Sequence, residues 1–224
     1  GASQCLTTCV SFAALDEARA CEGSANQGGT TVDLYPFVPG LWPGAKGFLL
    51  SGQCRTGATA SWDWPHGGRD RGGREIIHAF NELRLPLVVV GDGPEMPNLQ
   101  KLAKSNIKLL GYQPDVVITD LLNRARAFIY MAVEDFGIAM VEAQAAGCPV
   151  IAYGKGGAVE ILKDGETGLL FQDQSSRSLS EAVLQFQKMK LNSQASKENA
   201  ARFSSQRFHE EFSAFMESVC PILR

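Results

Sequence analysis

The sequence predicts an α/β domain built as a doubly wound parallel sheet, and three observations carry that expectation. Short apolar runs recur from Leu87 onward, at Leu87–Val90, Ile107–Leu110, Ala127–Tyr130, Val150–Ala152 and Gly168–Phe171. Stretches of helical length separate them: Pro97–Lys104, Asp115–Arg124, Gly137–Ala146 and Gly157–Leu162. Apolar runs bounded by turn formers suit strands buried on both faces, and strand-helix alternation supplies the crossovers that make strands parallel. Finally, the 224 residues are 45% hydrophobic and 20% charged, which is enough apolar material for one sizeable core.

Taken in chain order, the first 75 residues are the least regular. They hold more than half of the glycines and every tryptophan, and the stretch Ser51–Glu75 follows neither a period of 2 nor one of 3.6. Two islands stand out: the proline-punctuated strip Thr30–Gly40 and the short apolar run Gly47–Gly52, which reads as a buried strand. The expected division is therefore a divergent segment and linker strip over 1–46 and an α/β domain over 47–224, with 54–75 irregular. After Phe171 two helices are expected. One carries Leu179, Ala182, Val183, Phe186 and Met189 on one face, the other Phe208, Phe212, Phe215, Met216 and Val219, and both stripes read as core packing.

A net charge of −3 without a Lys/Arg block argues against a broad nucleic-acid face, while leaving room for local anion sites. Six cysteines are too sparse for a disulfide scaffold. The close pair Cys5 and Cys9 lacks partners for a zinc site, so no metal and no cofactor is expected. No run approaches the ~18 apolar residues of a membrane span, and the first twenty residues lack a basic n-region. The expected location is the cytoplasm or the periphery of a membrane.

In open parallel sheets ligands sit beyond the carboxyl ends of the strands, so the chemistry is sought in the loops that follow them. Gly91-Asp92-Gly93-Pro94-Glu95-Met96 begins like a dinucleotide fingerprint, but Met96 stands where the third glycine belongs, and no acidic residue closes the next strand. The string also resembles a phosphatase loop of the haloacid dehalogenase type, whose nucleophile motif is absent; taken alone, it reads better as a tight strand-to-helix turn. More informative is Met131-Ala132-Val133-Glu134-Asp135-Phe136-Gly137, which leads into a helix carrying Glu142. On one ideal helix Glu134 and Glu142 would lie about 80° apart, so Glu134 is better placed on the loop and Glu142 on the helix. A carboxylate among apolar neighbours needs hydrogen-bond donors, which ligand hydroxyls would supply, and amides around Gly137 and Ile138 can face a phosphate. A solvated pair of surface glutamates is the bland alternative. Lys155-Gly156-Gly157-Ala158-Val159-Glu160 then adds a second glycine-rich turn opening a helix. Three loops offering amides and carboxylates to one crevice would suit a sugar carried on a nucleoside diphosphate.

With "VVVGDGPE", "LLGYQPD", "EDFGIAMVEAQAAGCPVIAYGKGGAVEIL" and "DGETGLLF" in this order, residues 76–219 resemble the donor-binding domain of family-4 retaining glycosyltransferases, a GT-B family with Rossmann-like domains. Thr30–Gly40 looks like that family's linker strip, and the EDFGI wording is most similar to bacterial mannosyltransferases of polysaccharide biosynthesis that use GDP-mannose. The resemblance implies that Glu134, the catalytic-site carboxylate, holds the hexose and Glu142 the ribose. It places the backbone of Asp135, Phe136, Gly137 and Ile138 at the hexose and the β-phosphate. Gly91 would let the chain pass close to the donor, Tyr112 would line the base, and Gly156, Gly157 and Glu160 would complete the pocket wall. It implies transfer of a hexose with retention, without a metal, from a nucleotide-diphosphate sugar such as GDP-mannose to a saccharide or lipid-linked acceptor.

Two departures from the family stand out. Only about 30 residues precede the linker strip, so the chain is expected to be a partial enzyme whose acceptor domain is missing and which is inactive alone. The loop after the first strand lacks the family's Arg/Lys pattern, leaving Arg55, Arg69, Arg71 and Arg74 as candidates for the diphosphate cations. Sequence that loses its period after Gln53 and regains it at Arg74 is also what a local reading-frame disturbance would produce. A non-catalytic nucleotide-sugar-binding module is the alternative to an enzyme, and a dehydrogenase-like domain is disfavoured by the incomplete fingerprint.

Overall fold

The computed structural model of the chain describes residues 48–51, as backbone, and residues 72–219. Cys5, Cys9, the Thr30–Gly40 strip, Arg55, Arg69 and Arg71 lie outside them.

The elements run β1 (Phe48–Ser51), α1 (Gly72–Leu83), β2 (Leu87–Val90), α2 (Met96–Leu102), β3 (Ile107–Leu109), α3 (Asp115–Arg124), β4 (Ala127–Tyr130), α4 (Ile138–Ala145), β5 (Val150–Tyr153), α5 (Ala158–Ile161), β6 (Gly168–Phe171), α6 (Ser176–Lys188), α7 (Ser193–Ala201) and α8 (Ser205–Val219). The strands form one sheet of order β3-β2-β1-β4-β5-β6, with every neighbouring pair parallel. The chain winds outward from β1 to β3, then returns to the other side of β1 with β4. This reversal creates a topological switch point between β1 and β4, where a ligand crevice belongs in such a sheet.

Both sheet faces are covered, which explains the unbroken apolar runs: every residue of β2, β4 and β5 is buried. Leu87, Val89, Ala127, Ile129, Ile151, Tyr153, Leu169 and Phe171 pack in one cluster with Ile76, Ile77 and Phe80 of α1 and Leu179, Val183 and Phe186 of α6. By alternation along the strands, Val88, Phe128, Tyr130, Val150 and Ala152 project to the other face. Each large side chain removed from water in this core is worth about 1.5–3 kcal/mol. Buried polar groups are spent on joints. The Asn81 amide donates to the Leu102 carbonyl at 2.8 Å and accepts from the Lys104 amide at 3.0 Å. The Glu75 carboxylate accepts from the Ser176 amide at 2.9 Å, tying the start of α1 to the start of α6.

The structure departs from the sequence expectation in three places. Helix α1 opens at Gly72, inside the stretch expected to be irregular, because Ile76, Ile77 and Phe80 recur on one face and are fully buried. Helix α7 was not anticipated; its inward residues are Ser196, Asn199 and Ala200, which carry little hydrophobic signal. The stripe on α8 is not core: no residue of that helix is buried, and Phe212, Phe215 and Val219 are half exposed. Phe208 and Phe212, one turn apart, instead stack on each other with ring centroids 5.6 Å apart. The sheet and its helices through Ala200 lie in one compact unit, and the residues from Ala201 onward fall outside it.

Candidate functional site

The loops singled out after β2, β4 and β5 leave the carboxyl edge of the sheet. The segment after β4 descends from Tyr130 through Met131 to Gly137, where α4 begins. Gly137 caps that helix in the left-handed region, φ 83°, where a side chain is disfavoured, and a Cβ there would also drive into the Met140 thioether. The resulting turn is sharp, and it leaves the first amides of α4 open. Neither Ile138 nor Ala139 donates a backbone hydrogen bond among the described residues, while Met140 donates to the Gly137 carbonyl at 3.0 Å. Such unpaired amides carry the positive end of the helix dipole and are suited to an anion.

Glu134, Asp135 and Phe136 are exposed on the loop, and Glu142 is half-buried one turn into α4, on the same face as Ile138. Thus the two glutamates flank the open helix end, as the loop-and-helix placement requires.

The turn after β5 docks onto this loop. The Gly157 amide donates to the Glu134 carbonyl at 2.7 Å. Neither glycine of the turn could carry a side chain without disturbing it. A Cβ at Gly156 would strike the Glu134 carbonyl oxygen, and one at Gly157 would lie 2.8 Å from the Asp135 oxygen and nearer still to that of Phe136. The expectation that this turn offers its amides to a ligand is thereby corrected for Gly157, whose N–H is committed to Glu134. The glycines contribute close approach instead, and they turn the Asp135 and Phe136 carbonyls toward the turn. Glu160 is exposed on α5. At the other end of the loop, the Gln174 side-chain amide donates to the Met131 carbonyl at 2.8 Å.

Gly91 and Tyr112 belong to a second group. The Gly91 amide donates to the Gly111 carbonyl at 2.8 Å, joining the ends of β2 and β3. Tyr112 stands beside that joint, 71% exposed. Since β1 intervenes between β2 and β4, Gly91 lies about 10 Å from the Glu134 loop along the edge, at two strand spacings, and Tyr112, after β3, about 14 Å, at three. The edge therefore presents an aromatic ring at one end and two carboxylates around an open helix terminus at the other.

Of the four arginines considered for the missing cations, Arg74 lies among the described residues. In the first turn of α1, its guanidinium holds Glu95 with Nη2 2.7 Å and Nε 3.0 Å from one carboxylate oxygen. This hydrogen-bonded pairing, seconded by Asn98, keeps the Glu95 carboxyl below its ordinary range. The pair sits beside the Gly91–Pro94 turn, and no sequence pattern announces it. Lys155, at the mouth of the β5 turn, rests its ammonium 5.4 Å from the centre of the Tyr153 ring, and that tyrosine holds its pKa above the ordinary value. Among the described residues, no group of three His, Cys, Asp or Glu side chains is placed to hold a metal ion, and no helix is long and apolar enough to cross a membrane.

Comparison with known proteins draws these features together. In solved structures, the fold is shared with sucrose-phosphate synthase from Thermosynechococcus elongatus, at a TM-score of 0.63 and 19% identity over 79% of this chain and 47% of that one. It is shared too with Anabaena HepE in complex with UDP and glucose, at a TM-score of 0.58 and 21% identity over 77% of this chain and 48% of that one. Among curated proteins, N-acetyl-alpha-D-glucosaminyl L-malate synthase of Bacillus anthracis is 29% identical over 125 residues, 51% of this chain and 32% of that protein. The GDP-mannose-dependent alpha-(1-6)-phosphatidylinositol monomannoside mannosyltransferase of Mycobacterium tuberculosis is 36% identical over 114 residues, 43% of this chain and 29% of that protein. The chain thus spans about a third of the length of the curated relatives it matches. The profile of the family described as "Glycosyl transferases group 1" matches residues 69–203, the stretch that builds the sheet from α1 onward together with the loops just described. On that match the chain belongs to the group 1 glycosyltransferases.

Proposed function

We propose that this chain binds a nucleotide-diphosphate sugar along the carboxyl edge of its sheet and that the protein it represents transfers the hexose, with retention, to a saccharide or lipid-linked acceptor. The open N-terminus of α4, flanked by Glu134 and Glu142 beside the switch point, is the observation that carries this reading. A diphosphate placed there meets the Ile138 and Ala139 amides, and their fixed dipoles favour the charge that builds on it as the glycosidic bond breaks. Glu142, one turn up the helix, is suited to accept from ribose hydroxyls, while Glu134, on the exposed loop, is suited to accept from the hexose. Tyr112 offers a stacking face at the far end of the edge, where a base would lie. One relative, the GDP-mannose-dependent mannosyltransferase of Mycobacterium tuberculosis, favours a mannose donor of this kind.

Positioning of an acceptor can be worth about 7–11 kcal/mol of barrier, and it requires groups that face the donor edge from another domain. The 224-residue chain by itself is therefore expected to bind nucleoside diphosphate in the high-micromolar to millimolar range, roughly −4 to −6 kcal/mol, and to transfer nothing. Calorimetry with GDP, UDP and ADP ranks the bases. Glu142→Gln should weaken nucleoside diphosphate and nucleotide sugar alike, and Glu134→Gln chiefly the nucleotide sugar, each by about tenfold or more for a charged hydrogen bond. Equal losses for both ligands in Glu134→Gln would refute the division of roles. Acceptor-dependent turnover by this chain alone would instead refute its dependence on a second domain.

A further inference from the structure

We propose that Tyr130 is a positioning residue for Glu134, its buried hydroxyl donating to the carboxylate when a hexose is held there and so fixing which carboxylate oxygen meets the sugar. The proposal rests on the reading of Glu134 given above and extends it to a residue one layer deeper.

Tyr130 is the last residue of β4 and only 6% exposed, yet its hydroxyl has no hydrogen-bond partner among the described residues. It projects to the sheet face opposite Ile129 and Met131, beside Phe128 with ring centroids 6.2 Å apart. A phenylalanine would fill that apolar place without stranding a polar atom, and buried polar groups ordinarily find partners. The hydroxyl is unpaired, but a carboxylate is at hand. Burial, then the neighbouring Glu134 carboxylate, push the phenol far above its ordinary pKa, so that it stays protonated and can only be a donor toward that group.

The backbone between the two residues is already pinned. Gln174 holds the Met131 carbonyl at 2.8 Å, and the Gly157 amide holds that of Glu134 at 2.7 Å. What freedom is left to Glu134 lies in its own side-chain torsions. A carboxylate has two acceptor oxygens. With one engaged by Tyr130, the other is presented in a single orientation to a hexose hydroxyl. Without a sugar, the Glu134 carboxylate lies close enough to act on the phenol, yet the two do not meet in hydrogen-bond geometry.

The test is calorimetry on the 224-residue chain with UDP, GDP, UDP-glucose and GDP-mannose, for wild type, Tyr130→Phe, Glu134→Ala and the double variant. Tyr130→Phe should weaken the nucleotide sugar about five- to tenfold, as loss of one hydrogen bond to a charged group does, and leave the matching nucleoside diphosphate within about twofold. In the Glu134→Ala background the same substitution should have no effect, since its partner is gone. Thermal stability of Tyr130→Phe should be equal to or above that of wild type. Equal losses for both ligands, or an undiminished effect in the Glu134→Ala background, would overturn the inference. A sugar-specific loss in Glu134→Ala without one in Tyr130→Phe overturns this inference alone. Absence of any sugar-specific loss in Glu134→Ala, or of binding to all four ligands by wild type, overturns the underlying reading with it.

Discussion

Substituting Gly157 by alanine isolates the contact between the two loops of the donor edge. The backbone at Gly157 has φ −58° and ψ −19°, a helical conformation open to any residue, so alanine brings no dihedral strain. Its methyl would sit 2.8 Å from the Asp135 carbonyl oxygen, against 3.4 Å for ordinary contact, so the loop must withdraw by at least about 0.6 Å, and further to clear Phe136. Overpacking of this kind costs about 1–3 kcal/mol, offset by up to about 1 kcal/mol from the stiffer unfolded chain. A net loss of about 1–2 kcal/mol is expected in denaturant unfolding. Gly165→Ala supplies the control. There φ is 79° with open space around a Cβ, so the cost is left-handed strain alone, about 1–2 kcal/mol, with no neighbour displaced. The two variants should lose similar stability and differ in function. Because displacements near 1 Å at a reacting centre can cost about a hundredfold, Gly157→Ala should weaken nucleotide-sugar binding by about tenfold while Gly165→Ala leaves it unchanged. If calorimetry finds both variants equally impaired, or Gly157→Ala unimpaired at the expected loss of stability, the Gly157–Glu134 contact does not set the loop.

Two further outcomes follow from side-chain contacts. Asn199, 2% exposed in α7, donates to the Gln144 side-chain oxygen at 2.7 Å and to the Ile161 carbonyl at 2.6 Å, joining α4 to α5 from behind. Asn199→Ala leaves two buried acceptors short of a donor and should cost about 2–4 kcal/mol by chemical denaturation, whereas a loss under 0.5 kcal/mol would mean that water takes its place. The Arg74–Glu95 pair is half-exposed, so Arg74→Ala should change stability at neutral pH only slightly. Its signature is in acid: a carboxyl held below its ordinary value contributes stability above the unfolded pKa of about 4.3, which is lost as the pH falls through the depressed value. Arg74→Ala should therefore flatten the fall in unfolding midpoint below that pH, and an unchanged profile would show the pair to be inert.

What the sequence discloses depends on whether burial is apolar. Leu87–Val90, Ala127–Tyr130 and Gly168–Phe171 read as strands to the residue because parallel strands covered on both faces need unbroken apolar runs. Helix α7 escaped notice since Ser196 and Asn199 are buried through hydrogen bonding and close packing, which hydropathy does not register. Helix α1 was obscured by the glycine-rich run leading into it, although Ile76, Ile77 and Phe80 mark its inner face. The α8 stripe misled in the opposite sense, since periodicity reports that a face is apolar and not that anything covers it. In the site, the glutamates and Gly137 were legible as residues of a strand-to-helix turn. The commitment of the Gly157 amide was not, because it depends on how two loops meet. Nor was Tyr130, which reads as one more apolar residue of β4 while its hydroxyl does not.

The pairing of β1 with β4 has a bearing on how the molecule comes into being. Phe48 lies opposite Ala127 and Leu49 opposite Phe128, partners about 80 residues apart, whereas β4 meets β5 across little more than 20. The switch point on which the donor edge is centred is thus the least local contact of the sheet, and a chain emerging from the ribosome cannot begin to form it until β4 is made. Until then β1 offers one unpaired edge, open to the wrong strand of another molecule. Fragments ending before Ala127 would keep the β1–β2–β3 half without ever assembling the crevice, so slow refolding and sensitivity to C-terminal nicking belong to the same topology that creates the site.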